Sequence, residues 1–328
     1  MVQLITRAYP NVCMALGTLF GFFVTFLMTK YLMHKLPADE GRDFAVDGKL
    51  SKGKPRGAGL LFVIGFIMSV LLFSPIFRMS FGYMVELLIY LVLIFVEMLT
   101  GYLDDRATKP WSRLRKGFLD FTVSALLAFT YIYCNGTAFG FLQLRFELPI
   151  WLMAIIVLGL CFVSINVTNC ADGVDGLSGT LTIITLFGFL LADDAFVNMH
   201  GFRYLVVFFI ACIAAYLWYN AGPSILMMGD AGSRAMGIFI CITALKSGHI
   251  LLYVPFALVL ALDGGLGLFK VSMIKLTGKK DFLSCIRTPL HDHVRKNVAQ
   301  NWSNTQCVTR FAMIQLLIVI LTVYLFCR

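Results

Sequence analysis

Residues 14–33 read MALGTLFGFFVTFLMTKYLM, twenty positions with Lys30 as the only charge. At 1.5 Å per residue such a helix is about 30 Å long, the thickness of a bilayer's hydrocarbon core. A signal-peptide core is shorter and ends at a small-residue cleavage site. No A-x-A follows this run, so it is expected to stay as a span. Further apolar runs lie at 57–77, 83–103, 117–134, 150–168, 177–192, 202–219, 234–246, 250–275 and 308–327, the first extending over 12–34. Two of them, 177–192 and 234–246, are short for a span. The pattern predicts an all-α, polytopic integral membrane protein with about ten transmembrane helices and one domain over 1–328. Composition agrees. Of 328 residues 59% are hydrophobic and 14% charged, where soluble domains carry about 25% charge. Mean hydropathy is +0.84. These values exclude a soluble globular enzyme, a disordered chain and a collagen-like fibre. The nine cysteines are scattered, mostly in apolar runs, without a C-x-x-C. Neither a disulfide framework nor a cysteine metal site is expected.

The net charge of +9 reads as loop charge facing anionic lipid rather than as a nucleic-acid footprint, since no nucleic-acid motif accompanies it. Lys and Arg cluster in alternate loops. Seven fall after the first helix, five after the third, one (Arg234) after the seventh and six after the ninth. The opposite side has Arg7, Arg78, Arg145, Arg203, Lys246 and Arg328. The positive-inside rule then puts the basic loops in the cytoplasm and both termini outside.

The polar clusters share that cytoplasmic side: DDRATK at 104–109, NVTNCADGVDG at 166–176, NAGPSILMMGDAGS at 220–233 and TPLHDH at 288–293. A transporter needs polar groups near the membrane midplane, reachable from both faces. One-sided placement favours an enzyme at the cytoplasmic surface. Asp104 and Asp105 are a solvated helix end or a Mg²⁺ or phosphate site. Spacings of three place Asn166, Asn169 and Asp172 on one helical face, with Asp175 beyond; such groups suit a base, a sugar or a hydrated metal. Asp230 begins a helix, as an N-cap or beside N–H groups that, with Ser233, could hold phosphate. His291 and His293 suit a metal, a phosphate or a solvated loop. Glu86, Glu97, Asp120 and Asp263 are too costly to face lipid. Asp263 and Lys270, seven apart, read first as a structural ion pair.

Together these clusters resemble the polyprenyl-phosphate N-acetylhexosamine-1-phosphate transferase superfamily. GYLDDRATK resembles its acidic first motif, NVTNCADGVDGLSG its N-x-x-N-x-x-D-G-x-D-G-L signature and MGDAGS its G-D-x-G-S motif. TPLHDH resembles the P-hydrophobic-H-H-H motif of the branch that transfers phospho-N-acetylmuramoyl-pentapeptide. The chain departs from the pattern in four places. Asp292 replaces the middle histidine, Val294-Arg295 an aromatic–acidic pair, and Met227 an aromatic that often stacks on uracil. Residues 51–59 read SKGKPRGAG where K-x-G-T-P-T-M-G-G is usual.

The resemblance implies transfer from UDP-N-acetylmuramoyl-pentapeptide to undecaprenyl phosphate at a bacterial inner membrane, with lipid I and UMP as products and Mg²⁺ as cofactor. It implies Asp230 as metal ligand, and Asp104, Asp105 and His291 beside it as catalytic residues. Lys52, Lys116, Asn166, Asn169, Asp172, Asp175, Asn220, Met227 and His293 would bind substrate. The basic 276–306 segment, with Arg287, Arg295 and Lys296, would wall the groove for the peptide. The alternatives are UDP-N-acetylglucosamine as donor, or a transporter of a lipid-linked substrate. A homodimer stays open, because exposed apolar helix faces are normal in a membrane protein and do not signal one.

Overall fold

The computed structural model describes residues 10–41, 51–141, 144–196, 199–279, 281–297 and 299–327. Arg7, Arg42, Lys49, Lys280 and Arg328, counted above as loop charges, lie outside the described residues. The first four helices are α1 (Pro10–Leu32), α2 (Gly59–Phe73), α3 (Phe81–Asp105) and α4 (Arg113–Asn135). A hairpin follows, β1 (Ala138–Phe141) and β2 (Leu144–Glu147), paired antiparallel with Ala138 opposite Glu147. Then come α5 (Ile150–Ala171), α6 (Leu177–Phe196), α7 (Phe202–Asn220) and α8 (Gly229–Lys246). The last are α9 (Tyr253–Phe256), α10 (Leu258–Thr277), α11 (Leu290–Lys296) and α12 (Asn304–Phe326).

The ten apolar runs correspond to ten helical units, α9 and α10 forming one. Among the described residues eight helices are long and apolar enough to cross a membrane. A ninth span is broken: Ile250–Phe256 and Leu258–Thr277 meet at 86°. Pro255 lies two residues before the break, in α9, and has no N–H to offer. Gln315 on α12 serves the freed backbone groups, accepting from Val259 N at 2.7 Å and donating to Phe256 O at 2.6 Å.

The tenth unit, α8, is short for a simple reason. All 18 of its residues are buried by protein, so it need not be apolar enough for lipid. It packs on α3 and α5, and Phe239 stacks on Phe209 of α7 at 4.1 Å between ring centroids. Arg234 on α8, expected in a loop, lies inside the bundle. It pairs with Asp120 of α4 and with Glu97 of α3 at 3.2 Å. Lys246, also expected in a loop, is buried on Glu86 at 2.8 Å. Glu86, Glu97 and Asp120 thus avoid lipid by pairing with α8. The Asp263–Lys270 pair does not form. Lys270 donates to Leu283 O and Ile286 O, both at 2.8 Å, holding the loop after α10. The hairpin was not expected. Gly140 N donates to Gly248 O at 2.7 Å, pinning it to the end of α8.

Candidate active site

The site forms where the loop before α2, the end of α3, the start of α4 and the start of α8 meet. The loop is stitched to residues 227–228. Met227 N donates to Pro55 O at 2.8 Å, Ala58 N to Met227 O at 3.1 Å and Gly59 N to Met228 O at 3.1 Å. This pairing fixes Arg56 opposite Asp230. Gly101 lets α3 approach: a Cβ there would lie 2.5 Å from Asp230 backbone atoms. Gly229 has φ +68°, and a Cβ on it would strike Asp105 at 2.1 Å.

Asp105 uses that space to reach α8. It accepts from Asp230 N and Ala231 N, both at 3.1 Å. Those two N–H groups are therefore not left for a phosphate, and Asp230 is not the N-cap; that position is Met228. Asp230 lies in the first turn, where the helix dipole favours negative charge. Its oxygens are divided between two cations. Oδ1 faces Arg56 Nη2 at 3.3 Å and Oδ2 faces Lys116 Nζ at 2.8 Å. Lys116 also contacts Asp104, whose Oδ1 accepts from Trp111 N at 2.7 Å. Arg56 reaches Asp105 Oδ1 at 2.8 Å and Asp39 Oδ1 at 3.5 Å. Burial works against the Arg56 charge, but Asp105, Asp230, Asp39 and Asp104 outweigh it and hold its pKa above the ordinary arginine value.

A cavity of about 700 Å³ opens beside this cluster. Asn169, Asp172, Asp175, Asn220, Met227 and Asp230 all line it, as do Asp39, Lys54, Arg56 and Arg295. Within the signature, Asn169 donates to Ser233 Oγ at 3.0 Å and Asp172 accepts from Ser178 at 2.6 Å. Asn220 clamps the turn, accepting from Gly176 N at 2.8 Å and donating to Leu226 O at 2.9 Å. Asn166 departs from the shared face. It donates to Asp120 Oδ2 at 3.1 Å, toward the buried Arg234 cluster. Asp172 caps α5 rather than continuing it. Lys52 is exposed, whereas Lys54 lines the cavity and lies 3.6 Å from Asp175.

His291 is buried against the signature loop; a Cβ on Gly173 would lie 2.3 Å from its Nε2. One carboxylate, Asp263, holds it twice, accepting from His291 N and facing Nδ1, both at 2.8 Å. His293 does not join it; its Nδ1 accepts from Arg287 N at 3.2 Å. Asp292 lies 3.5 Å from Arg295 and 3.8 Å from His291 Nε2. Of the basic 276–306 segment, Arg295 lines the cavity with Ser303, Asn304 and Thr305, while Arg287 and Lys296 are exposed. Sequence reasoning had not assigned roles here to Asp39 and Lys54. A basic residue next to proline in SKGKPRGAG was the one available signal.

Among the described residues no three His, Cys, Asp or Glu side chains converge as a ready metal cage. The donor set still suits Mg²⁺, which is commonly bound by one or two carboxylates with substrate phosphates and water completing its shell. Lys116 and Arg56 sit as stand-in cations on the oxygens of Asp230. Counting Asp39, Asp104, Asp105, Asp172, Asp175 and Asp230 against Lys54, Arg56, Lys116 and Arg295, the site has a formal excess of two negative charges. An anionic donor needs that excess neutralised.

A helical membrane bundle with carboxylates, amides and basic side chains gathered at one face is the architecture of a membrane-embedded transferase of phosphorylated substrates. Residues 87–248 match the profile of Glycosyl transferase family 4. The phospho-N-acetylmuramoyl-pentapeptide-transferase of Treponema pallidum is 37% identical over 94% of this chain and 88% of its own length. Those of Dictyoglomus turgidum and Ruegeria pomeroyi are 28% and 29% identical, over 92% and 91% of this chain. The chain belongs to the phospho-N-acetylmuramoyl-pentapeptide-transferase family. It is a membrane phosphosugar transferase of peptidoglycan synthesis.

Proposed function

We propose that the protein transfers phospho-N-acetylmuramoyl-pentapeptide from its UDP donor to undecaprenyl phosphate, releasing UMP and leaving lipid I, on the cytoplasmic face of a bacterial inner membrane. The observation that carries this reading is the placement of Asp230 between Arg56 and Lys116 on the wall of a 700 Å³ cavity. A negative group flanked by two cations beside a polar cleft suits phosphoryl transfer, where positioning and charge neutralisation supply most of the catalysis. The sidedness rests on the excess of Lys and Arg in the loops that carry the site.

An acceptor phosphate oxygen attacks the β-phosphorus of the donor. The new O–P bond forms as the bond to the UMP oxygen breaks. A phosphate monoester's second pKa is about 6, so the acceptor is already largely dianionic near neutral pH. Asp104 and Asp105 are therefore not needed as bases, and their oxygens are committed to Lys116, Arg56 and backbone N–H groups. Their role is to hold those cations and the start of α8. Asp230 would hold Mg²⁺, which, when bound, screens the charge on the phosphate oxygens. Lys116 would hold the acceptor phosphate. Lys54 and Arg295 would face the donor phosphates or the peptide carboxylates. Asn169, Asp172 and Asp175 would bind the uridine. His291, oriented by Asp263, would present Nε2 to the diphosphate or the sugar.

The test is a donor panel on detergent-purified protein with polyprenyl phosphate and Mg²⁺. UDP-N-acetylmuramoyl-pentapeptide should release UMP and yield labelled lipid; UDP-N-acetylglucosamine at equal concentration should be poor. Faster transfer from UDP-N-acetylglucosamine would overturn the donor assignment. No UMP from either would return the transporter reading.

A further inference from the structure

Arg56 has an unusual place for a loop arginine. Its Nη2 lies 2.8 Å from Asp105 Oδ1 and 3.3 Å from Asp230 Oδ1, and its Nη1 lies 3.5 Å from Asp39 Oδ1. Each neighbour is itself fixed. Asp39 accepts from Ser51 Oγ at 2.7 Å and from Gly41 N at 3.2 Å. Asp105 is held by the first turn of α8. The arginine backbone is tied by Arg56 N donating to Pro37 O at 2.8 Å. Yet the side chain is 16% exposed and lines the cavity beside Asp230. It is thus clamped at the root and reachable at the tip.

We propose that Arg56 is a resident counter-cation, covering the Asp230 oxygen that a divalent cation must reach and turning to the donor's diphosphate when that cation binds. This rests on the proposed role of Asp230 as metal ligand. A guanidinium and a divalent ion cannot both take the same carboxylate oxygen at contact distance without strong repulsion. Displaced from Asp230, the planar fork of Arg56 matches two phosphate oxygens. The arrangement couples two events. Before substrate arrives, Arg56 competes with the metal. Once metal is bound, Arg56 adds a positive group for the donor. Removing its charge should therefore strengthen one interaction and weaken the other. A residue that only braced the fold would not produce that opposition of sign.

The experiment uses Mn²⁺ as probe, with binding followed by electron paramagnetic resonance on the full chain in detergent without substrate. Arg56→Gln and Arg56→Thr should bind Mn²⁺ about tenfold more tightly than the unmodified chain, the scale of one charge-assisted contact. Arg56→Lys should stay near the unmodified value, and Asp230→Asn should lose the tight site. At saturating Mg²⁺, the KM for UDP-N-acetylmuramoyl-pentapeptide should rise about tenfold in Arg56→Gln. Two chemically different neutral variants guard against one that fails to fold. Unchanged or weaker Mn²⁺ binding in the neutral variants, or an unchanged donor KM, would overturn the proposal. So would Asp230→Asn binding Mn²⁺ normally, since Arg56 would then have nothing to compete for. Absence of UMP release by the unmodified chain would instead overturn the functional reading, and the Mn²⁺ measurement would still decide the competition.

Discussion

Replacing Asp263 with asparagine isolates what the carboxylate does for His291. In the native site one side chain accepts from both His291 N and Nδ1–H at 2.8 Å. That fixes the proton on Nδ1 and leaves Nε2 turned toward Gly173 at the edge of the cleft. The substituted amide can still accept from the backbone N–H. It presents its NH₂ to Nδ1, so the neutral ring must take the other tautomer. Losing the partner that orients a metal-ligating histidine typically costs 10–100-fold, and the same orienting role is the guide here. The larger loss of about 10⁴ seen when the aspartate behind a serine protease histidine is amidated reflects a histidine that moves the nucleophile's proton. Here the acceptor phosphate needs no such transfer, so the lower range applies. We expect kcat/KM to fall about 10–100-fold, or about 1.4–2.7 kcal/mol of transition-state stabilisation. The thermal midpoint in detergent should move little. Asp263→Ala should differ, because it leaves two buried donors unpaired at about 1–3 kcal/mol each, and its midpoint should drop clearly. UMP release and a scanning unfolding measurement on the same preparations provide both numbers. If Asp263→Asn retains activity within threefold of native, the positioning argument fails.

Arg234→Met should be poorly folded, since it leaves Glu97 and Asp120 without their buried partner at about 3–5 kcal/mol; a normal gel-filtration profile and melting curve would refute the ion cluster's structural weight. Lys116→Gln should lower kcat/KM at least about 10²-fold while the protein stays folded, because Asp104 and Asp230 lose the ammonium they share; near-native turnover would remove Lys116 from the site. Sidedness is checked by single cysteines in a background lacking Cys134 and Cys285, the exposed native thiols. A thiol at position 51 or 290 should be shielded from a membrane-impermeant reagent in intact cells, and one at position 200 should react; the reverse would invert the topology.

The helices were legible because a span must be long and apolar, and ten runs met or nearly met that requirement. The units that strained the reading had specific causes. Run 234–246 looked too short and too polar because α8 touches protein on every side, which no local window can report. The break after Phe256 left a local trace in Pro255, but the backbone's satisfaction by Gln315, sixty positions from Pro255, did not. The hairpin at 138–147 lacked the Asn-Gly signal that marks tight turns. In the site, the residue types were readable and their partners were not. Asn166 and Asn169 share a spacing of three, yet about 60° separates them on a helix. One turns to Asp120 and the other to Ser233. Asp263 lies 28 positions from His291 and Arg56 lies 174 from Asp230, separations at which periodicity carries no information. The Asp263–Lys270 pairing was plausible on one helix face and lost to a histidine and two carbonyls from other segments.

The most direct test of the central claim is turnover by Asp230→Asn, measured as UMP released together with labelled polyprenyl-linked product from UDP-N-acetylmuramoyl-pentapeptide at saturating Mg²⁺. The substitution keeps the side chain's shape and removes the carboxylate that bridges Arg56 and Lys116. Turnover should fall by at least about 10³-fold, more than the usual effect of a single hydrogen bond, in protein that elutes and melts like the native chain. Near-native turnover with ordinary Mg²⁺ dependence would contradict the account.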